Sequence, residues 1–307
     1  MLPNFLIIGA GKSGTTTLHN VLQQHPEIYM SSIKEPNFFA LEGQTKINGY
    51  DKDDPHGFFH YPWAVTNMED YQNLFKDAKD EIAIGESSTM YQYMPLVPQR
   101  IKQHAPNMKI IGIFRNPADR LYSRYLHLVR EDRAPSEKFK DCLNKSSIWW
   151  QKNDLIQEGF YYKHMHRYFE LFPKNQLKIL LYDDFKADPN TFMKDIFTFL
   201  DVDSSFEPNL NIHYNISGKI KNKFIDRFIG QKSLLKKWIG RTSPILLEQL
   251  KRSFKVQNLV SKLRSKNLER PPIDQSVRQQ LLQEVYTQDI KAFQDLIQRD
   301  LSHWVVH

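Results

Sequence analysis

The sequence predicts a three-layer α/β domain in which helices flank a central, mainly parallel β-sheet, with a helical and basic C-terminal part after it. Three observations lead to this fold class. Short apolar runs typical of buried strands recur along the chain, segments with helical spacing alternate with them, and the strand pattern ends beyond Pro208. Alternation of strands and helices favours parallel pairing through right-handed crossovers.

The first predicted strand and helix enclose a glycine-rich loop. Leu2–Ile8 is an apolar run that ends at glycines, and helical spacing then predicts a helix over Thr16–Gln24. Further strands are predicted at Glu27–Ser31, Glu81–Gly85, Lys109–Phe114 and Gln176–Tyr182. Further helices are predicted at Pro117–Arg130, Met165–Leu171 and Pro189–Leu200. Gly43–Trp63 is rich in Asp, Gly, Pro and aromatic residues and is predicted to be a long loop, a kind of segment that is often functional.

The chain is predicted to form one domain, residues 1–307, in two parts. Residues 1–210 make up the α/β core, and residues 211–307 form a loop and a helical part in which Pro271 and Pro272 precede a final amphipathic helix. Lys219–Arg270 holds fifteen Lys and Arg against three acidic residues, although the whole chain carries only +7. This basic segment is either a solvated helical face or a surface for a polyanionic cofactor, an acidic acceptor, an anionic membrane or nucleic acid.

Composition excludes several classes of protein. With 307 residues, 40% of them hydrophobic and 25% charged, the chain is long enough for a sizeable core and is not of the disordered class. The single Cys142 excludes an internal disulfide and a cysteine-based metal cluster. Phe5–Ala10 is too short to span a bilayer and follows no positively charged leader, so we expect a cytoplasmic protein.

The glycine loop satisfies two phosphate-binding patterns only in part. Gly9–Gly14 has the spacing of a dinucleotide fingerprint, but the acidic residue expected after the next strand has only Glu35 as a candidate. The same glycines have the spacing of a nucleotide P-loop, in which a lysine should stand at Thr15. What remains is a helix start where backbone N–H groups, hydroxyl groups and the ammonium group of Lys12 converge on an anion.

Lys12–Thr16 resembles the 5′-phosphosulfate loop of the sulfotransferase superfamily that uses 3′-phosphoadenosine 5′-phosphosulfate (PAPS), Lys-(Ser or Gly)-Gly-Thr-Thr after the first strand. The resemblance implies a three-layer P-loop-like fold. It also implies direct in-line transfer of a sulfo group to a hydroxyl acceptor, with 3′-phosphoadenosine 5′-phosphate (PAP) as product and no metal. In the family the lysine stabilises the leaving phosphate and the loop binds the 5′-phosphate. These roles fall on Lys12, Ser13, Gly14, Thr15, Thr16 and Thr17.

A second motif resembles the superfamily's site for the 3′-phosphate of the cofactor, in which Arg-(Asn or Asp)-Pro is followed by a helical serine. Here the matching residues are Arg115 and Ser123. Pro117 is a favourable first residue of a helix, and Arg115 leaves the end of the preceding strand. A guanidinium and a hydroxyl can bind one phosphate together. The two motifs together favour a sulfotransferase over a kinase or a dehydrogenase, neither of which needs a pocket for a ribose 3′-phosphate.

The candidate general base is Glu35. Lys34–Phe39 is similar to the Lys-Glu-Pro-x-Phe-Phe segment of glycan sulfotransferases, in which the glutamate deprotonates the acceptor hydroxyl. An alcohol is a weak nucleophile, so a carboxylate that takes its proton and a cation beside the leaving phosphate are expected. The chain departs from heparan-sulfating members at Asn37, where they place a histidine, and near Ala40, where they place an aspartate.

Other residues complete the predicted site. Gly85-Glu-Ser-Ser resembles a family segment near the transferred group, so Glu86 is predicted to bind or orient the acceptor. His56 and His60, in the aromatic loop, are competing bases or acceptor contacts. A segment before the basic region resembles a loop that folds over the cofactor in bacterial-type members, which implies contacts with PAPS from Ser217, Gly218 and Lys219.

The acceptor is predicted to be a hydroxyl-bearing glycan, lipid or small molecule. Two alternatives from other classes stay open. One is a P-loop phosphotransferase that uses ATP and magnesium, which the position of Lys12 disfavours. The other is a nucleic-acid-binding protein that uses the basic segment, although no reading module is recognised and no nucleic acid is expected. Peripheral contact with anionic surfaces is also compatible with that segment.

Overall fold

The structure of the chain is a computed structural model. It describes residues 1–44, 63–210, 267–269 and 271–305, together with the backbone of residues 49–50, 59–60 and 219–220. Its strands are β1 (Phe5–Gly9), β2 (Ile28–Met30), β3 (Gly49–Tyr50), β4 (Phe59–His60), β5 (Ala83–Ser87), β6 (Lys109–Phe114), β7 (Leu177–Leu181), β8 (Lys219–Ile220) and β9 (Leu268–Glu269). Its helices are α1 (Thr15–Leu22), α2 (Phe38–Leu41), α3 (Met68–Asn73), α4 (Val97–His104), α5 (Pro117–Arg130), α6 (Ile148–Gln151), α7 (Tyr161–Leu171), α8 (Tyr182–Ala187), α9 (Pro189–Phe199), α10 (Gln275–Gln280), α11 (Thr287–Ile297) and α12 (Ser302–Val305).

Five strands form one sheet in the order β2-β5-β1-β6-β7. Every neighbouring pair in it runs parallel, and β1 lies at the centre between β5 and β6. Phe5 and Ile7 of β1 stand opposite Gly85 and Ser87 of β5. The fold class predicted from the sequence, a mainly parallel sheet flanked by helices, is confirmed.

An apolar layer covers each face of the sheet, because successive side chains along a strand point to opposite faces. Leu6 and Ile8 point into one core, which also contains residues of α4, α5, α7 and α11. Phe5 and Ile7 point into the other core, which contains residues of α1 and α9. All four side chains are fully buried, which explains why β1 appears in the sequence as an unbroken apolar run.

Two short antiparallel pairs differ from the sequence-based expectations. β3 pairs with β4 inside Gly43–Trp63, which the sequence predicts to be a loop. β8 pairs with β9, with Lys219 opposite Glu269, in the region where the sequence predicts a loop and helices but no strand. Each of these strands has two residues, and such a short segment shows no alternation of apolar and polar residues that could predict it.

The described C-terminal residues pack against α5. The hydroxyl of Tyr122 donates to the carbonyl of Pro271 at 3.1 Å, and the guanidinium of Arg278 lies 3.0 Å from the carboxylate of Asp119. The amide of Asn116 donates to the carbonyl of Trp304 at 2.9 Å, at the start of α5. No helix in the described ranges has the length and the apolar character needed to cross a membrane.

The carboxyl ends of β1, β5 and β6 meet at one edge of the sheet, because neighbouring parallel strands point the same way. Open α/β sheets bind ligands at this edge. The glycine loop follows β1, Ser88 follows β5 and Arg115 follows β6. Residues that are far apart in the sequence are therefore brought to one edge.

Candidate active site

The glycine loop has a backbone that turns back on itself before α1. Gly9, Lys12 and Gly14 all have a positive φ, of 145°, 67° and 101°. A Cβ on Gly14 would lie 3.2 Å from the ring of Tyr182, so both the turn and the close approach require glycine there. The described residues provide no side-chain cap for α1, and the first N–H groups of an uncapped helix suit an anion.

Ser13 and Lys12 give this loop the character of an anion site. The hydroxyl of Ser13 is fully buried and finds no hydrogen-bond partner within the part of the chain that the structure describes. Buried polar groups are almost always bonded, so an orphaned hydroxyl favours a ligand at this place. Burial, reinforced by Arg124 and Arg130, lowers the pKa of Lys12 to about 7. A bound anion would relieve both features, so these residues fit the phosphosulfate that the sequence predicts.

The second predicted anchor lies beside the loop. The guanidinium carbon of Arg115 is 5.3 Å from the centroid of the Tyr182 ring, the same ring that packs against Gly14. Ser123 is buried on α5, whose first turn is capped by the side chain of Asn116. The structure therefore brings Arg115 close to the glycine loop, and it places Ser123 two turns into the helix that follows.

Glu35 has a strained backbone and two local partners. Its φ is 59°, and its backbone N–H donates to the carbonyl of Ser87 at 2.9 Å, which ties it to the end of β5. Its carboxylate lies 2.8 Å from the ammonium group of Lys34. Burial alone would raise the pKa of Glu35, but Lys34, Arg124 and Lys12 together hold that pKa below its usual value. The carboxylate is thus kept ionised.

Lys12 and Glu35, which come from two separate motifs, lie close enough to shift each other's pKa. The carboxylate of Glu35 raises the pKa of Lys12, and the ammonium group of Lys12 lowers the pKa of Glu35. Lys34 and Arg124 act on both residues. The arrangement can take a proton at Glu35 while stabilising negative charge beside Lys12.

Glu86 occupies the core beneath Glu35. Its carboxylate is fully buried, accepts from Tyr71 at 3.2 Å and from Ser88 at 2.9 Å, and is also bound by Tyr91. Ser88 in turn accepts from the backbone N–H of Asn37 at 3.0 Å. The contact of Glu86 with an acceptor stays a prediction, and its observed contacts are those of a residue that supports the Glu35 turn.

Two buried charged residues that support the site are not singled out by their sequence. The carboxylate of Glu158 accepts from the backbone N–H of Gly11 at 2.6 Å and from Arg120 at 2.8 Å. Nothing marks a glutamate in a short 3₁₀ turn, Gln157–Gly159, as a partner of a loop 147 residues earlier. Arg120 would be solvent-exposed if it lay on the outer surface of α5, but it is fully buried.

His127 also faces this region and is missed by the sequence motifs. It lies on α5, four residues after Ser123, and burial together with Lys12 and Arg124 holds its pKa well below the usual range. One ring nitrogen is 3.2 Å from the carboxylate of Glu131, and the other is 2.8 Å from the guanidinium of Arg130. Its position one helical turn beyond Ser123 is the signal that could have found it.

Some predicted site residues have no described side chain. His56, Ser217 and Gly218 lie outside the described residues. Only the backbone is described for His60, in β4, and for Lys219, in β8. Most of the basic segment 219–270 is likewise outside the described ranges. Among the residues that are described, no group of three or more His, Cys, Asp or Glu side chains could hold a metal ion.

Comparison with protein families gives a match over most of the chain. The family model described as "Sulfotransferase domain" matches residues 2–227. This range contains both predicted anchors and Glu35.

Comparison with individual proteins gives consistent relatives. The chain is 29% identical over 223 residues to bifunctional heparan sulfate N-deacetylase/N-sulfotransferase 4 of Mus musculus, an alignment that covers 70% of this chain and 23% of that protein. It is 27% identical over 257 residues to carbohydrate sulfotransferase 15 of Homo sapiens, covering 66% of this chain and 44% of that protein. The chain therefore spans less than half the length of either relative.

One solved structure matches along the whole chain. It is a sulfotransferase from Alicyclobacillus acidocaldarius, with a TM-score of 0.68 and 26% sequence identity. The match covers 99% of both chains.

Proposed function

The chain belongs to the sulfotransferase family, and from this premise we propose that it transfers a sulfo group from PAPS to a hydroxyl group of an acceptor. One observation carries the proposal. Lys12 and Glu35, predicted from separate motifs to be the cation and the base of this reaction, lie within electrostatic reach of each other at the carboxyl edge of the sheet.

We propose that two anchors hold the nucleotide. The loop Lys12–Thr17 would bind the 5′-phosphosulfate through its backbone N–H groups and hydroxyls, including the orphaned hydroxyl of Ser13. Arg115 and Ser123 would bind the 3′-phosphate. Ser217, Gly218 and Lys219 would add contacts from residues 211–307, the part proposed to cover the nucleotide.

The residues of the chain then divide the chemistry between them. Bound PAPS supplies an activated sulfo group. Glu35 takes the proton of the acceptor hydroxyl as the hydroxyl oxygen of the acceptor forms its bond to sulfur. Lys12 places positive charge beside the phosphate oxygen whose bond to sulfur breaks. The proton ends on Glu35 and the electron pair on the phosphate, so no covalent link to the protein is needed.

We propose a glycan as the acceptor. The names of the two curated relatives specify heparan sulfate and carbohydrate. Around Lys12 and Glu35, the basic residues Lys34, Arg124 and Arg130 add positive charge that favours an anionic acceptor. A glycan that carries carboxylates or sulfates would be attracted to this charge.

Calorimetry and a transfer assay test the proposal. PAP should bind more tightly than ATP, NAD or adenosine 5′-phosphate, and PAP should be released from PAPS in the presence of an acceptor. The acceptor panel contains a polysaccharide of hexuronate and N-acetylhexosamine, the N-deacetylated form of that polysaccharide, a neutral glycan, a lipid alcohol and a phenol. Tighter binding of ATP or NAD would rule out the reaction. Preference for the N-deacetylated form would move the acceptor from a hydroxyl to an amine.

A further inference from the structure

The two proposed anchors lie on different elements, so something must fix the distance between them. The glycine loop follows β1, whereas Arg115 follows β6 and Ser123 lies on α5. A ligand with an anion at each end is bound well only if both anchors are held at the right separation. The residues that touch both elements therefore decide how well they act together.

Glu158 touches both elements with one carboxylate. One oxygen accepts from the backbone N–H of Gly11, the residue directly before Lys12, at 2.6 Å. The other oxygen accepts from the guanidinium of Arg120, three residues before Ser123 on α5, at 2.8 Å. A single side chain thus connects the tip of the loop to the helix of the second anchor.

The connection is buried and tightly packed. The side chains of Arg120 and Glu158 expose only 0% and 4% of their surface. A Cβ on Gly11 would lie 2.7 Å from the carboxylate oxygen of Glu158, so the loop backbone rests directly on that carboxylate. Buried charge pairs of this kind are not an efficient source of stability, which makes a positioning role the better explanation for retaining one.

Neighbouring residues of the same segment hold α5 from the same side. The carbonyl of Leu155 accepts from Arg120, and the carboxylate of Asp154 accepts from Arg124. The hydroxyl of Tyr161 donates to the carbonyl of Arg115 at 2.8 Å. We call Asp154–Tyr161 the brace segment. It contacts α5 and the strand end before it at several points and the glycine loop at Gly11.

We propose that Glu158 is a positioning residue that couples the two anchors, so that a 5′-anion and a 3′-phosphate on one nucleotide are bound cooperatively. The inference rests on the proposed function, because it takes the ligand to be a nucleotide with both groups. Glu158 itself touches neither group. It acts through Gly11 and Arg120.

Four ligands measure this coupling by calorimetry: PAP, adenosine 5′-phosphate, adenosine 3′-phosphate and adenosine. In the wild type, the two phosphates of PAP together should contribute more binding free energy than the sum of the contributions that each makes alone. In Glu158→Gln the amide cannot accept from both donors as a carboxylate does. We expect the affinity for PAP to fall about tenfold, the typical size of a coupling between sites, while each monophosphate changes less than about twofold.

Two further variants separate positioning from general stability. Gly11→Ala leaves the Arg120–Glu158 pair intact but pushes the loop away from the carboxylate, and it should lose the same cooperativity. Asp119→Asn breaks the ion pair of α5 with Arg278 but removes neither contact of Glu158, so this variant should keep the cooperativity. Thermal unfolding shows whether each variant folds. If Glu158→Gln does not fold, Gly11→Ala alone tests the loss of cooperativity.

The outcomes distinguish the two proposals. If the wild type binds PAP no better than adenosine 5′-phosphate, the proposed function fails. If the wild type binds PAP cooperatively and both Glu158→Gln and Gly11→Ala retain that cooperativity, the role of Glu158 is overturned. Loss of cooperativity in these two variants but not in Asp119→Asn supports it.

Discussion

The carboxylate of Glu35 lies 2.8 Å from the ammonium group of Lys34, its neighbour in the chain, while the backbone of Glu35 is held at a φ of 59°. A base placed this way is ionised and fixed before an acceptor arrives. We expect Glu35→Gln to lower kcat by about 100-fold to 10,000-fold, the usual contribution of a general base, with the affinity for PAP unchanged. Steady-state kinetics and calorimetry measure the two effects.

Glu42 provides the matched control for Glu35. It has a similar exposed fraction, 27% against 24%, and it also lies in an ion-paired cluster, with Arg100 and His104. Glu42→Gln should leave kcat within about twofold of the wild type, as most substitutions away from a reacting centre do. Full activity in Glu35→Gln would transfer the role of base to another residue, with His56 and His60 the first to test.

Lys34 should set the lower pH limit of activity. Burial raises the pKa of Glu35 and Lys34 is the largest influence that lowers it, so without Lys34 the pKa of Glu35 rises. The acid limb of kcat/KM should therefore move to higher pH in Lys34→Met and stay in place in Lys34→Arg, which keeps the charge. A pH profile of all three proteins checks this, and an unmoved limb in Lys34→Met contradicts it.

Lys12 should set an upper limit. Burial, with Arg124 and Arg130, lowers its pKa to about 7 in the protein without a ligand. In the proposed reaction the protonated form stabilises the leaving phosphate, so kcat/KM, which reports the free enzyme, should fall as the pH rises through about 7. Lys12→Arg stays charged and should lose this alkaline limb, although its geometry lowers the rate, and Lys12→Met should lose about 100-fold or more in kcat.

The large elements could be predicted because their signals are local. β6 and α5 begin and end at the predicted residues, since Ile110–Phe114 is an unbroken apolar run and Pro117 fixes the helix start. β5 begins two residues later than predicted, at Ala83. The pairs β3–β4 and β8–β9 could not be predicted, because two-residue strands have no periodicity.

The residues of the candidate site could be predicted where they belong to a sequence motif. They could not be predicted where only their burial and contacts in the fold link them to the site. Lys12 and Glu35 are found from motifs, and their proximity follows because β2 and β5 place the Glu35 turn next to β1. Glu158 has no motif, and only the tertiary structure shows it against Gly11. For Glu86 the motif predicts a contact with the acceptor, which stays a prediction, whereas only the tertiary structure shows that its side chain is buried.

Arg115 should decide the selectivity for a 3′-phosphate. A hydrogen bond to a charged group contributes about 1.5–3 kcal/mol, so Arg115→Ala should weaken PAP binding by about 10-fold to 150-fold. Adenosine 5′-phosphate, which lacks the 3′-phosphate, should bind about as it does to the wild type. Arg299→Ala, which removes an exposed partner of Asp184, is the arginine control and should alter neither ligand. Equal losses for both ligands would place Arg115 elsewhere in the nucleotide site.

The buried carboxyl of Glu86 should make stability depend on pH. Burial raises its pKa from 4.5 to about 7, despite hydrogen bonds from Tyr91, Ser88 and Tyr71 that lower it. The folded protein therefore holds a proton that the unfolded chain releases above about pH 4.5, and the stability linked to this proton is full below pH 4.5 and lost as the pH rises through 7. The side chain of Glu86→Gln is a neutral amide that does not titrate in this pH range.

The free energy of unfolding of the wild type should therefore fall relative to that of Glu86→Gln between pH 5 and pH 7.5, by about 2.4 kcal/mol. Burial also raises the pKa of Glu158, although Arg120 lowers it, and because Glu158 is the same in both proteins its contribution cancels in the comparison. Urea unfolding at the two pH values measures the difference, with Glu69→Gln on the exposed first turn of α3 as a surface control that should follow the wild type. A constant difference between Glu86→Gln and the wild type would mean that the carboxyl of Glu86 is ionised in the folded core, with Tyr71, Ser88 and Tyr91 sufficient to stabilise its charge.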